Sequence, residues 1–192
     1  MQNMRRKNRT NPVHIGSNEM AVNYENLIRH HVEVGGKTLQ ELYDAQEKHP
    51  EHDGYSVMMG RDDRYYSVQP RVYDLPRQIT VVEATLADLG LNASGASLWD
   101  VLHVVNIMGY HHLCPGELGL QITVQRRVEF FEKRFLVLCT EMPETHYFNR
   151  TVRFNMYKFD PDVSLNKRKI VRIRRQSLAL TDGIGCDRVL FC

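Results

Sequence analysis

Residues Thr80 to Val124 read TVVEATLADLGLNASGASLWDVLHVVNIMGYHHLCPGELGLQITV, and how this stretch is divided decides the fold. Ser97 followed three residues later by Asp100 forms a short capping box, and Gly109 is a natural left-handed stop. Between them Leu98, Val101, Leu102, Val104, Val105, Ile107 and Met108 spread apolar side chains almost all the way round, so this helix is expected to be buried. Thr80-x-x-Glu83 is a second capping signal, and with Val82, Leu86, Leu89 and the stop at Gly90 it predicts a helix just upstream. Downstream, Leu118, Leu120, Ile122 and Val124 alternate with Gly119, Gln121 and Thr123, which predicts a half-buried strand.

Working outward, the C-terminal third reads as strands. Phe135–Cys139 is apolar on both faces and fits a central strand, Val152, Phe154 and Met156 alternate with polar residues, and residues 169–175 and Arg188–Phe191 add two more. Short polar links between successive strands argue for an antiparallel meander. Asp160-Pro161-Asp162 reads as a turn.

Toward the N-terminus, Val22, Leu27, Ile28 and Val32 allow a short helix over Met20–Val32, and Thr38-x-x-Glu41 caps a clearer one with Leu39, Leu42 and Tyr43 on one face. Gly35-Gly36-Lys37-Thr38 lacks the earlier glycine of a phosphate-binding loop, His31 standing there, and reads as a tight turn in a small hairpin from His31 to Leu39. Residues 44–54 read as a solvated loop, and Tyr55–Met59 with Arg64–Gln69 as a hairpin about Gly60–Asp63. The expected architecture is α+β: an antiparallel β-meander sheet with two consecutive helices packed on one face, plus a smaller N-terminal helix and hairpin part. Residues 1–18 read as a flexible basic arm and 19–192 as one domain, divisible at 76/77.

The chain of 192 residues is 42% apolar and 25% charged, the balance of a soluble globular protein, with no run near the roughly 20 apolar residues of a membrane helix. Its N-terminus starts basic and stays polar, unlike a secretory signal. Cys114, Cys139, Cys186 and Cys192 then read as reduced thiols in a cytoplasmic protein, and the Asn-x-Ser/Thr matches at Asn8, Asn92 and Asn149 carry no meaning.

The net charge of +2 conceals an asymmetry. Arg5, Arg6, Lys7 and Arg9 place +4 in the first nine residues, and Lys167, Arg168, Lys169, Arg172, Arg174 and Arg175 place +6 in residues 167–175, leaving 15 basic against 23 acidic residues elsewhere. A basic arm and basic strand on an acidic body suit an anionic partner. If both faces of the strand present cations it follows a phosphate backbone, with Tyr157 and Phe159 as stacking surfaces. The bland alternative is lysine and arginine guarding an edge strand against aggregation.

Three further constellations carry chemistry in principle. Trp99, Asp100, His103, Asn106 and Tyr110 share a sector of about 120° on the helix, and either satisfy neighbouring backbone or line a pocket with His103 as a proton carrier. His111-His112-x-Cys114-Pro115 has the residue types of a metal site or a thiol nucleophile, but lacks the two spaced ligand pairs of a structural zinc. Paired acids at Asp62-Asp63, Asp160/Asp162 and Glu141/Glu144 sit at apparent turns or lack an acid-x-Lys strand. No catalytic residue, metal or cofactor is therefore expected. The leading expectation is a non-enzymatic cytoplasmic protein that binds nucleic acid, or else an acidic protein, and no membrane. The alternatives are a protein–protein adaptor, and an enzyme with a His/Asp/Cys pocket.

Overall fold

The computed structural model describes residues 11–15, 18–48, 51–52, 55–59, 70–92, 94–110, 113–125, 127–139, 144–145, 152–162 and 169–192. In chain order these form β1 (Asn11–Ile15), β2 (Asn18–Val22), a 3-10 turn (Tyr24–Asn26), β3 (Ile28–Val34), α1 (Leu39–Lys48), β4 (Glu51–His52) and β5 (Tyr55–Met59). Then follow β6 (Arg77–Thr85), α2 (Leu98–Ile107), α3 (Leu118–Val124), a 3-10 turn (Val128–Phe130), β7 (Phe135–Val137), β8 (Glu144–Thr145), β9 (Val152–Asp162), β10 (Lys169–Ala179) and β11 (Arg188–Phe191). β1 and β2 pair with each other; the remaining strands form one sheet in the order β3-β6-β11-β7-β9-β10-β5-β4, with β8 alongside β9.

The α+β class stands, but the sheet is mixed rather than an antiparallel meander: β11 runs parallel to β7, and β10 parallel to β5. Nor do the helices share one face. Alternate residues of β6, β7, β9, β10 and β11 enter two separate core layers, as pleating requires. Val32, Val34, Val81, Phe135, Val137, Phe159, Val171, Ile173 and Leu190 pack with Leu42 and Tyr43 of α1 and Leu118, Leu120 and Ile122 of α3. Val82, Ala84, Leu136, Met156, Leu178, Val189 and Phe191 pack with Leu98, Val101, Val104 and Val105 of α2 on the opposite side. Each fully buried phenylalanine contributes roughly 2–3 kcal/mol by leaving water.

The expected helix over Thr80–Gly90 is replaced by strand β6. Ile79, Thr80, Val81, Val82 and Thr85 are β-branched, losing side-chain freedom in a helix and fitting a pleated sheet. Glu83 is not a cap but a buried partner of cations. The helical signal is real for one turn only: Thr85 N donates to Asp88 Oδ2 at 3.0 Å, and Asp88 N to Thr85 Oγ1 at 3.0 Å, closing the turn that ends at Gly90, φ +71°. The expected strand over Leu118–Val124 is instead α3. Its leucines and Ile122 face the core, while Gln121 donates to Glu117 Oε2 at 2.8 Å and Thr123 to Leu120 O at 2.6 Å, so its polar residues are buried too. With both alternating sets buried, alternation did not distinguish the two periods.

The Met20–Val32 helix is likewise overturned, by β2, a 3-10 turn and β3, where Val22, Ile28, Val32 and Val34 favour extended chain. Gly35 and Gly36 do make a tight turn, with φ of +85° and +73°, but it links β3 to α1, and β3 pairs with β6 rather than folding back on Leu39. α1 starts where its capping box predicted, Thr38 N donating to Glu41 Oε2 at 2.7 Å and Glu41 N to Thr38 Oγ1 at 3.2 Å. It continues to Lys48, and Glu51–His52 is a strand, so the expected loop over 44–54 is shorter than read. Tyr55–Met59 is a strand as expected; the proposed hairpin mate Arg64–Gln69 lies outside the described residues. The four later strands stand, and Asp160-Pro161-Asp162 is the end of β9, not a turn.

β3 is the outer strand at one end. Arg127 Nη1 donates to His31 O at 2.6 Å and Gln125 Nε2 to Glu33 O at 2.5 Å, so side chains occupy backbone acceptors along that edge.

Candidate functional site

Over Ile170–Ile173 β10 is held between β9 and β5, so Arg172 does not guard an edge. Val171 and Ile173 are buried in the core layer with α1 and α3, and those two positions are therefore closed to any partner. Arg172 is exposed on the other face. It lies directly opposite Asp160 of β9, and residues paired in register project on the same side. Asp160 Oδ1 in turn accepts from Arg134 Nε at 2.9 Å, just ahead of β7, and Arg134 is 54% exposed. A row Arg134–Asp160–Arg172 thus runs from the residue ahead of β7 across β9 to β10, with neighbouring strands about 5 Å apart, two guanidinium groups about one carboxylate. Lys158, two residues along β9, turns inward, its Nζ donating to Gly185 O at 2.9 Å. The sequence places Asp160 in a turn and gives Arg134 no distinction, because cross-strand register is invisible in the order of residues alone.

The remaining basic residues divide as follows. Lys167 and Arg168, and Arg5, Arg6, Lys7 and Arg9, lie outside the described residues. Lys169, Arg174 and Arg175 are described as backbone of β10, Arg174 opposite Lys158 and Arg175 opposite Tyr157, and their side chains lie outside the described groups. Tyr157 is corrected from stacking surface to core: it is 1% exposed, with its ring over Gly119. Phe159 is buried with it, so neither offers a face to a base.

α2 also differs from expectation. Its Ser97/Asp100 box is present, Ser97 N donating to Asp100 Oδ2 at 2.9 Å and Asp100 N to Ser97 Oγ at 3.2 Å, and Gly109 ends it at φ +91°. Hydrogen bonds from the Ser97 side chain and backbone hold the Asp100 carboxyl below the ordinary carboxylate range. The helix is not buried all round: Trp99 is 55% exposed and Ile107 37%. Trp99 stacks on His103 with ring centroids 5.8 Å apart, Asn106 faces outward, and Tyr110 turns in to meet the Phe191 ring edge-on at 4.9 Å. Asp100 is committed to the cap and Tyr110 to packing against the Phe191 ring. Cys114 belongs to the core layer across the sheet from α2, which separates it from His103. His111 and His112 lie outside the described residues, and among those described no three or more His, Cys, Asp or Glu side chains are arranged so that they could hold a metal ion.

Sequence reading missed one charged cluster altogether. Glu83, 1% exposed, accepts from Lys133 Nζ at 2.8 Å and Arg188 Nη1 at 2.7 Å on Oε1, and lies 3.0 Å from His30 Nε2 on Oε2. Burial pushes its carboxyl upward, but the hydrogen bonds from Lys133 and His30 and the charges of Lys133 and Arg188 outweigh it, leaving the pKa below its ordinary 4.5. A depressed folded pKa makes a stabilising contribution that is full above the unfolded value and is lost as pH falls through the folded one. Wild type is therefore expected to exceed Glu83→Gln in stability by about 2 kcal/mol at neutral pH, with the gap shrinking below pH 4.5. Urea midpoints of both proteins across that range check it; a gap independent of pH would show that the carboxylate charge is not what holds the cluster.

Among the described residues no helix is long and apolar enough to cross a membrane. The chain matches no protein-family model, no curated protein and no solved structure.

Proposed function

We propose that this protein is a non-catalytic, cytoplasmic binding protein for a polyanion, nucleic acid in the first instance, contacted through the sheet face that carries Arg134 and Arg172. In this reading residues 19–192 act as one domain, and the segment Lys167–Arg175 and the basic arm 1–18 extend the contact. The supporting observation is the row in which two exposed arginines, Arg134 just ahead of β7 and Arg172 on β10, flank Asp160 of β9. Guanidinium groups present forked donors that match phosphate oxygens, and two of them about one carboxylate leave the row with a net charge of +1.

The test is binding of labelled single-stranded and duplex DNA and RNA at two salt concentrations, for wild type and for Arg134→Glu/Arg172→Glu. Wild-type affinity is expected to fall steeply with salt as counterions are released. The double variant is expected to bind at least about tenfold more weakly at low salt, each lost or reversed phosphate contact being worth on the order of 1 kcal/mol. Equal affinity in a variant with unchanged circular dichroism would sink the proposal.

A second reading, a protein–protein adaptor, is favoured by the exposed Trp99–His103 stack beside Ile107 on α2, since exposed tryptophan is a frequent anchor of interfaces. That interface would respond weakly to salt and would be lost in Trp99→Ala.

A further inference from the structure

Cys114, Cys139 and Cys192 meet where the segment leading into α3 reaches the ends of β7 and β11. Leu138 organises the meeting. Its N–H donates to Leu190 O at 2.9 Å, its carbonyl accepts from Cys114 N at 2.7 Å, and Cys114 lies opposite Cys139 in a parallel bridge. Backbone bonds on a single residue thus hold both cysteine-bearing segments. The outcome is a distance of 2.7 Å between Cys114 Sγ and Cys192 Sγ. A disulfide bond is about 2.05 Å long, so joining these sulfurs needs a movement of less than about 1 Å.

Accessibility is unequal. Cys114 and Cys139 are buried, whereas Cys192 is half-buried. Cys186, the fourth cysteine, is in the other core layer, its Sγ donating to Arg188 O at 3.1 Å.

We propose that Cys114 and Cys192 form a reversible thiol–disulfide pair, with Cys192 as the attacking thiol, Cys114 as the resolving thiol, and a small disulfide such as glutathione disulfide as the oxidant. Cys192 releases its proton to solvent, and its thiolate attacks one sulfur of the oxidant, expelling the first small thiol and leaving a mixed disulfide. Cys114 then attacks the Cys192 sulfur, its proton passing to the departing thiolate. The Cys114–Cys192 bond forms as the second small thiol departs. Two electrons from the protein thiols reduce one oxidant disulfide to two thiols, so atoms and charge balance. The order follows from burial, which together with the neighbouring Cys192 thiol pushes the Cys114 thiol well above its ordinary range and keeps it inert until a sulfur is delivered to it. The bond closes a loop between positions 78 apart in sequence and clamps β11 to the entrance of α3.

The experiment treats the full chain with glutathione disulfide and reads intact mass and linked peptides, for wild type, Cys114→Ser and Cys192→Ser. Wild type is expected to lose two hydrogens and to yield a peptide joining positions 114 and 192, reversed by dithiothreitol. Cys114→Ser is expected to accumulate glutathione on Cys192, because the resolving thiol is gone, and Cys192→Ser to leave Cys114 unmodified. Wild type that retains glutathione on Cys192, a link to Cys139 or Cys186 instead, or modification of Cys114 in Cys192→Ser would each overturn the proposal. Wild type and Cys192→Ser, altered only at the half-buried position, decide the matter by themselves if Cys114→Ser does not fold.

Discussion

Gly119→Ala is expected to destabilise the protein by about 3 kcal/mol, the reverse of what helix propensity alone predicts. In an exposed helix the change from glycine to alanine stabilises by roughly 1 kcal/mol. Here a methyl at position 119 of α3 meets Tyr157 Cγ at 2.5 Å, Cδ2 at 2.6 Å and Cβ at 2.9 Å. Both residues are buried, so the clash has no solvent side into which to relax. Overpacking a dense core by one methyl typically costs about 1–3 kcal/mol, and a contact with a ring and its Cβ, which cannot swing aside, lies at the upper end. The urea midpoint at unchanged m-value measures it. A midpoint equal to or above that of wild type would mean that α3 does not lie as close to β9 as described.

Glu117→Ala is expected to cost about 4 kcal/mol, a large share of the roughly 5–15 kcal/mol that holds a domain folded. The Glu117 carboxylate is fully buried and joins three segments. Oε2 accepts from Gly35 N at 3.0 Å and from Gln121 Nε2 at 2.8 Å, and Oε1 accepts from Tyr73 N at 2.8 Å. Its removal strands these donors, each unsatisfied buried donor costing about 1–3 kcal/mol, with some relief because Tyr73 is only half-buried. The loop it holds is itself conditional: Gly35 and Gly36 have positive φ, and Gly36 N donates to Tyr73 O at 3.0 Å. Glu117→Gln keeps the shape and one acceptor oxygen but turns an amide NH2 toward a backbone donor, so it is expected to recover only about half of the loss. Equilibrium urea unfolding of the three proteins checks the series, and an alanine variant within about 1 kcal/mol of wild type would refute the bridging role.

The two predictions fall on residues that looked unremarkable in the sequence, one a glycine in an alternating run and the other the residue before it. The reason is the same for both: each acts through a neighbour distant in the chain, Tyr157 for Gly119 and Gly35 and Tyr73 for Glu117. The candidate site divides in the same way. That residues 169–175 form a strand rich in cations was legible from composition and period. That Val171 and Ile173 are buried while Arg172 is exposed, with Arg134 and Asp160 beside it, depends on which strands lie next to it.

What the amino-acid order determined alone are features closed within a few residues. The boxes Ser97/Asp100 and Thr38/Glu41, the stop at Gly109 and the turn at Gly35–Gly36 all appear where expected, because donor, acceptor and backbone dihedral are set by residues three or four apart. Of the wholly apolar run Phe135–Cys139, Phe135–Val137 likewise became a central strand, there being no exposed position for such a segment. Only the tertiary structure decided the identity of Arg77–Thr85 and Leu118–Val124. In the first, β-branched residues between β3 and β11 prevailed over a capping signal whose glutamate found its partners in Lys133, Arg188 and His30. In the second, both alternating sets are buried and the polar members are bonded inside, so the contrast between wet and dry faces on which period reading relies does not exist there.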